Sequence, residues 1–236
     1  MPLPVAILAG GLSTRLYPAT EKNPKALLDV AGKPFIAYQL ENLRQNGICE
    51  VVICAGYLGQ LIADFVGDGS KFGLSVRFSY DGAKPLGTGG AIKRALPLLG
   101  DAFWVMYGDA YLNVVFRQVA DFFLSRDKLG LMTVYKNNNQ WDTSNVVFLN
   151  DLVVKYDKQR VTADMQYIDY GVALLSRACF DDFAKDTFFD LAEVYQRLVN
   201  KKEMLGYEVK ERFYEIGSLR GLAETRKYLS SLSVAH

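Results

Sequence analysis

Apolar positions in the first half of the chain fall into short runs separated by stretches of helical spacing. Residues 5–8, 51–55, 76–80 and 103–107 read as strands, and 36–45, 58–66 and 89–99 carry the apolar spacing of amphipathic helices. Gly47 and Gly100 stand where helix C-caps are expected. Alternating β and α elements predict a mostly parallel sheet covered by helices on both faces. The second half changes character. Residues 131–135, 145–149, 152–156 and 167–175 are strand-like, and the middle pair is split by Asn150-Asp151, a hairpin turn without its usual glycine. Residues 190–200 and 218–232 read as helices, with Ser218 and Glu224 in N-terminal positions. No composition shift or low-complexity stretch marks a linker, so the expectation is one α/β domain over 1–236, Rossmann-like, with a mostly parallel mixed sheet.

Composition narrows the chemistry. The chain has 236 residues, half of them apolar, enough for one large core. Its net charge of +1 argues against counterion-driven binding to a nucleic-acid polymer. No apolar run approaches a membrane span, and Met1-Pro2-Leu3-Pro4 leads straight into a strand, so no signal peptide is expected. Cys49, Cys54 and Cys179 lack metal-type spacing and read as buried thiols of a reducing cytosol, so a cytoplasmic protein is expected. The one histidine, His236, is the last residue, which nearly excludes histidine as base, nucleophile or metal ligand. Carboxylates, lysine, arginine and bound metal are left to do the chemistry.

The most informative stretch follows the first strand. Leu8-Ala9-Gly10-Gly11-Leu12-Ser13-Thr14-Arg15-Leu16-Tyr17-Pro18 is rich in glycine, basic and free of carboxylates, and Pro24-Lys25 and Gly32-Lys33-Pro34 come after it. Free backbone N–H groups with Arg15 and Lys25 suit a polyphosphate cradle at the carboxyl end of a strand. The run from Gly10 to Pro34 resembles the amino-terminal signature of the sugar-phosphate nucleotidyltransferases, roughly G-G-x-G-T-R-L-x-P-x-T-x-x-x-P-K then V-x-G-K-P. Ser13 stands in place of the third glycine, as it does in the related molybdopterin guanylyltransferases.

That resemblance covers nearly the whole chain and implies a nucleoside triphosphate and a sugar 1-phosphate as substrates, Mg²⁺ as cofactor, and a monomer or homodimer. It implies a nucleotide-binding part over about 1–112, a sugar-phosphate-binding part over about 113–217 and a C-terminal helix over about 218–232. Arg15 and Lys25 become the catalytic cations, and Leu8, Ala9, Gly10, Gly11, Ser13 and Thr14 nucleotide contacts. Pro85-Leu86-Gly87-Thr88-Gly89-Gly90-Ala91 resembles the L-G-T-[GA]-x-A motif that lies against the nucleobase, which brings in Gly87 and Thr88. Asp81, beside Gly82, is an acceptor that suits the N1 and N2 donors of guanine.

Two further segments supply the metal carboxylates. Tyr107-Gly108-Asp109-Ala110-Tyr111 resembles the family's G-D motif and makes Asp109 a Mg²⁺ ligand; Tyr111 stands where an Asp-x-Asp glycosyltransferase would need its second carboxylate. Phe213-Tyr214-Glu215-Ile216-Gly217-Ser218 resembles the aromatic-x-Asp-x-Gly-[ST] segment and makes Glu215 the second ligand, one methylene longer than usual. A backbone shift or a bridging water is expected to absorb that length. Tyr156-Asp157-Lys158 resembles the E-K segment, so Lys158 is expected to meet the sugar phosphate. Ile168-Asp169-Tyr170-Gly171-Val172 places Asp169 and Gly171 against the sugar, with Ser144-Asn145 nearby. The branches most resembled are heptose-1-phosphate guanylyltransferases and N-acetylmuramate-1-phosphate uridylyltransferases, the latter through the loop over residues 67–74. A guanylyltransferase acting on a hexose or heptose 1-phosphate is the leading expectation. A uridylyl- or cytidylyltransferase of the same fold, or a non-catalytic sensing paralogue, is the alternative.

Overall fold

The computed structural model describes residues 2–11 and 16–233. In chain order these form β1 (Val5–Ala9), β2 (Asp29–Val30), β3 (Lys33–Pro34), α1 (Phe35–Gln45), β4 (Glu50–Ala55), α2 (Gly59–Val66), β5 (Ser75–Tyr80) and α3 (Gly87–Ala95). They continue with β6 (Ala102–Tyr107), β7 (Ala110–Tyr111), α4 (Phe116–Leu124), β8 (Gly130–Lys136), β9 (Val146–Leu149), β10 (Leu152–Tyr156) and β11 (Tyr167–Ser176). The chain ends through α5 (Leu191–Asn200), β12 (Met204–Val209), β13 (Tyr214–Glu215) and α6 (Leu219–Ser233).

Nine strands form one mixed sheet in the order β5-β4-β1-β6-β11-β8-β12-β10-β9. Strand alternation sorts the core onto its two faces. Val5, Ile7, Trp104 and Met106 pack with Leu40 of α1, Ile62 of α2 and Val119 of α4. Ala6, Phe103 and Val105 face the other way, onto Ile92 of α3 and Leu198 of α5. A smaller cluster joins Ile216 and the α6 residues Leu222 and Leu229 to Phe35 and Tyr38 of α1. No helix among the described residues is long and apolar enough to cross a membrane.

The expectation of a mostly parallel sheet is correct for one half only. β5, β4, β1 and β6 run parallel, as βαβ crossovers require, and so do β8 and β12. β11 inserts antiparallel between β6 and β8, and β9, β10 and β12 are antiparallel neighbours. Short connections enforce this: Asn150 and Asp151, with φ of +50° and +63°, turn β9 directly into β10.

Several local expectations change. Gly47 does follow α1 in the left-handed region, at φ +79°. Gly100 is no such cap, because α3 leaves through a 3₁₀ turn over Leu96–Leu98 that contains Pro97, and Leu99 is extended. Glu224 lies beyond the first turn of α6 and pairs with Arg212 at 2.7 Å and Arg220 at 2.9 Å. Cys54 is buried, but Cys49 is exposed and Cys179 half-buried. α4 and β12 are elements that the sequence reading leaves unassigned. In β12 the apolar run is interrupted by Gly206, where a Cβ would overlap the Phe148 ring.

Polar residues on α1 reach across to fix the turn after β6. The buried amide of Gln39 donates to the carbonyls of Tyr107 at 3.0 Å and Ala110 at 2.8 Å. Asn42 donates to the carbonyl of Leu112 at 2.9 Å. Gln39→Leu leaves two carbonyls without their donor, so stability should fall by about 1–3 kcal/mol, read from urea denaturation.

Candidate active site

Glycines let three strand ends converge at the carboxyl edge of the parallel half. A Cβ on Gly56, after β4, would lie 2.7 Å from the Gly10 carbonyl oxygen. One on Gly108, after β6, would lie 2.6 Å from that of Leu8. The close crossing opens a cavity of about 510 Å³ bounded by Leu8, Ala9, Gly10, Gly11, Lys25, Asp81, Gly87, Thr88 and Asp109. Ser13, Thr14 and Arg15, with Leu12, lie outside the described residues.

Asp81 follows β5 and its Oδ2 accepts the Leu86 amide at 3.3 Å. Burial raises its carboxyl pKa above the ordinary 3.8, opposed by that amide and by Arg94. Cys54, beneath the same cavity, is pushed up to about 12, first by burial and then by the Asp81 charge.

Two of the three glycines that open α3 make room for protein packing. Gly89 and Gly90 are packed under the segment 187–189: a Cβ on Gly89 would overlap the Phe189 ring, and one on Gly90 the Thr187 carbonyl oxygen. Their amides donate to the Phe189 carbonyl at 3.0 and 3.3 Å, a backbone cap for the helix. The Thr88 hydroxyl accepts the Leu191 amide at 2.8 Å. Gly87 and Thr88 remain on the cavity wall.

A second cavity, about 610 Å³, lies over the antiparallel half and is bounded by Asn145, Lys158, Asp169, Gly171, Glu215 and the 141–143 loop. Asp169 Oδ1 accepts the Gly171 amide at 3.0 Å, and Asn145 Oδ1 accepts the Asp169 amide at 3.0 Å. Burial raises the Asp169 carboxyl, against the pull of the Lys158 charge. Lys158 donates to the Tyr107 hydroxyl at 3.1 Å. Ser144, expected beside Asn145 as a polar contact, is wholly buried instead. Its Oγ accepts from Asn137 Nδ2 and the Asn139 amide, both at 3.0 Å, and so braces the loop that carries Trp141.

The two cavities meet at Tyr107 and Asp109, which border both. β7 pairs with β13, setting Ala110 opposite Glu215, and the Ile216 amide donates to the Asp109 carbonyl at 2.9 Å. Lys25, held on a 3₁₀ turn after buried Pro24, pairs with Asp109 Oδ2 at 2.9 Å. Glu215 Oε2 accepts the Gly217 amide and the Ser218 amide, the latter at 3.0 Å, and its Oε1 accepts the Ser218 hydroxyl at 2.5 Å. The longer arm of Glu215 therefore folds back on the N-terminus of α6, where its charge is favoured. Gly221 makes this fit: a Cβ there would overlap Glu215 Oε1.

Asp109 and Glu215 are the carboxylates that would hold a divalent cation at this junction. A Cβ on Gly217 would lie 3.0 Å from Glu215 Oε2, 3.3 Å from Asp109 Oδ2 and 3.7 Å from Lys25 Nζ, so that glycine lets two carboxylates and the Lys25 ammonium share one small space. Among the described residues no larger cluster of potential ligands occurs. Carboxylate oxygens are the hard ligands such a cation takes, and water and substrate phosphates would supply the rest of its shell.

Sequence reasoning missed Tyr107, Gln39 and Trp141. Tyr107 lay inside the G-D motif, but only the fold shows it facing both cavities. Trp141 carried no local signal; its buried indole N–H has no hydrogen-bond partner among the described residues, and Arg212 covers its ring at 3.5 Å. Gly221→Ala should displace Glu215 and cost roughly 0.5–2 kcal/mol through loss of the cap, measurable by denaturant unfolding.

Comparison with known proteins accords with this geometry. The family model described as "Nucleotidyl transferase" matches residues 5–145. The N-acetylmuramate alpha-1-phosphate uridylyltransferase of Neisseria meningitidis is 46% identical over 111 residues, 47% of this chain and 48% of that protein. The aligned segment thus spans about half the length of that relative. The D-glycero-alpha-D-manno-heptose 1-phosphate guanylyltransferase of Campylobacter jejuni is 30% identical over 213 residues, 89% of this chain and 93% of its own. The crystal structure of HddC from Yersinia pseudotuberculosis complexed with GMP-PN superposes with a TM-score of 0.77 at 25% identity, covering 97% of this chain and 100% of that one. From its glycine-lined strand ends to its paired carboxylates, this chain belongs to the nucleotidyl transferase family.

Proposed function

We propose that the protein transfers a nucleoside monophosphate from a nucleoside triphosphate to a sugar 1-phosphate, releasing pyrophosphate. The observation that carries this reading is the meeting of two cavities at Asp109 and Tyr107, one glycine-floored and one lined with polar groups. The first, largely within about residues 1–112, takes the triphosphate. The second, largely within about residues 113–217, takes the sugar phosphate, and the helix over about residues 218–232 carries the Glu215 cap.

A sugar-phosphate oxygen attacks the α-phosphorus, the bond to the β-phosphate oxygen breaks, and pyrophosphate leaves with the electron pair. The attacking oxygen is already anionic, so no base is required. Catalysis rests on alignment and on charge placed where the transition state needs it. Arg15 and Lys25 hold the triphosphate, and Lys158 the sugar phosphate, while Asp169 and Gly171 meet the sugar ring. Asp109 and Glu215 would hold Mg²⁺, which would supply positive charge against the phosphates when bound. Lys25 exchanges its pairing with Asp109 for the phosphates of the triphosphate. Retention of Lys25 and Asp109 argues against a sensing paralogue.

Guanine is the base favoured by Asp81, because a carboxylate accepts from both N1 and N2 of guanine but repels the flanking carbonyls of uracil. The uridylyl alternative draws on the 46% identity to the Neisseria enzyme. The name of the Campylobacter relative favours a heptose 1-phosphate as acceptor.

Pyrophosphate release should occur with a hexose or heptose 1-phosphate and GTP when a panel of sugar 1-phosphates is assayed with each nucleoside triphosphate. Preference for UTP or CTP would sink the base assignment, and release with no combination would sink the reaction. Arg15→Ala and Lys25→Ala should each lower kcat by roughly 10²–10³; near-normal turnover in both refutes their role. Because burial raises Asp81 above 3.8, its carboxylate is lost at a higher pH than an ordinary aspartate as acid is added. KM for GTP should therefore rise on the acid side, and Asp81→Asn should raise KM and remove that limb of the profile.

A further inference from the structure

The segment 186–190 is anchored to the rim of the first cavity from both ends, although the reaction just described uses none of its residues. Asp186 pairs with Arg94 at 2.6 Å, and Arg94 Nη1 donates to the carbonyls of Tyr80 at 3.0 Å and Asp81 at 2.5 Å. The segment is thereby clamped to the strand end that carries Asp81. Phe189 donates to the Leu86 carbonyl at 3.1 Å, caps the amides of Gly89 and Gly90, and stacks on Phe183 with ring centroids 4.4 Å apart. Asp190 caps α5 by accepting the Ala192 amide at 2.7 Å.

Phe188 sits between these anchors and is left outside the core. Its neighbour Phe189 is 5% exposed, whereas Phe188 is 73% exposed and borders the cavity that also holds Asp81 and Gly87. A Cβ on Gly87 would come within 3.3 Å of its ring. An aromatic ring on a braced backbone, beside the groups assigned to a nucleobase, has the chemistry of a stacking platform.

We propose that Phe188 contacts the nucleobase, so that the segment 186–190 forms a wall of the base pocket and contributes affinity for the base but not for the phosphates. The proposal rests on the reading of this cavity as the nucleotide site. Asp81 reads the edge of the base, and Phe188 takes up its apolar face. Binding of GTP and of inorganic tripolyphosphate, each with Mg²⁺ and without sugar phosphate, separates the two contributions by calorimetry.

Phe188→Ala should weaken GTP roughly 5–30-fold and leave tripolyphosphate unchanged. Phe188→Tyr should restore the affinity, and the GTP emission response of Phe188→Trp should exceed that of the wild type. In turnover, KM for the triphosphate should rise with kcat nearly constant. Equal weakening of both probes would make the segment a scaffold only and overturn the proposal, as would unchanged GTP binding. Loss of self-association with nucleotide affinity intact would assign the ring to a second copy of the chain, which also overturns it. A wild-type protein that binds tripolyphosphate but gains nothing from any base would instead overturn the reading of the cavity, and this proposal with it.

Discussion

The two cavities of this protein meet at the turn between β6 and β7, and that turn is held from three parts of the chain. The Gly108 amide donates to the Leu8 carbonyl at 3.0 Å, Gln39 spans the carbonyls of Tyr107 and Ala110, and Ile216 donates to the carbonyl of Asp109. Buried backbone groups cost free energy when left unpaired, so each bond is a positional constraint as well as a favourable contact. The result is a carboxylate, Asp109, that the nucleotide half, α1 and the C-terminal segment locate together.

Electrostatics at the junction follow from the same arrangement. Two carboxylates stand close to one another, and each is compensated by protein groups. Lys25 pairs with Asp109, while the amides at the start of α6 and the Ser218 hydroxyl satisfy Glu215. The proposed reaction would call on charges of both signs here, prepared in advance and able to change partners. Lys25 can do this because its side chain is long and its turn is fixed by Pro24. Glu215 keeps its position through Gly217 and Gly221, whose missing side chains leave room for the longer arm.

Much of this was legible from residue order. Alternating apolar runs and helical spacing identified the parallel half, and the asparagine–aspartate pair marked the β9–β10 turn. The residues read as nucleotide or sugar contacts all border one of the two cavities, apart from Ser13, Thr14 and Arg15, which lie outside the described residues, and Ser144, which is buried in its loop. The antiparallel insertion of β11 was not legible, because a strand's apolar pattern reports which faces it buries and not the direction of its neighbours. Nor was the role of Gly89 and Gly90, since a glycine-rich helix start looks the same whether ligand or protein packs on it.

The sequence by itself carried the motifs whose resemblance implies a reaction class: a basic glycine-rich loop at a strand end and two distant carboxylate segments, with a single histidine at the last residue. Those are local properties: backbone freedom, charge and side-chain chemistry are set by residue type and short-range spacing. Tertiary structure alone decided which groups face one another. It joined Asp109 to Glu215 across more than a hundred residues, set Tyr107 and Lys158 side by side, and brought Phe188 to the rim of the cavity that holds Asp81. Such contacts arise from the order of strands in the sheet and from the length of the connections between them. A linear pattern carries that information only through the packing it eventually produces.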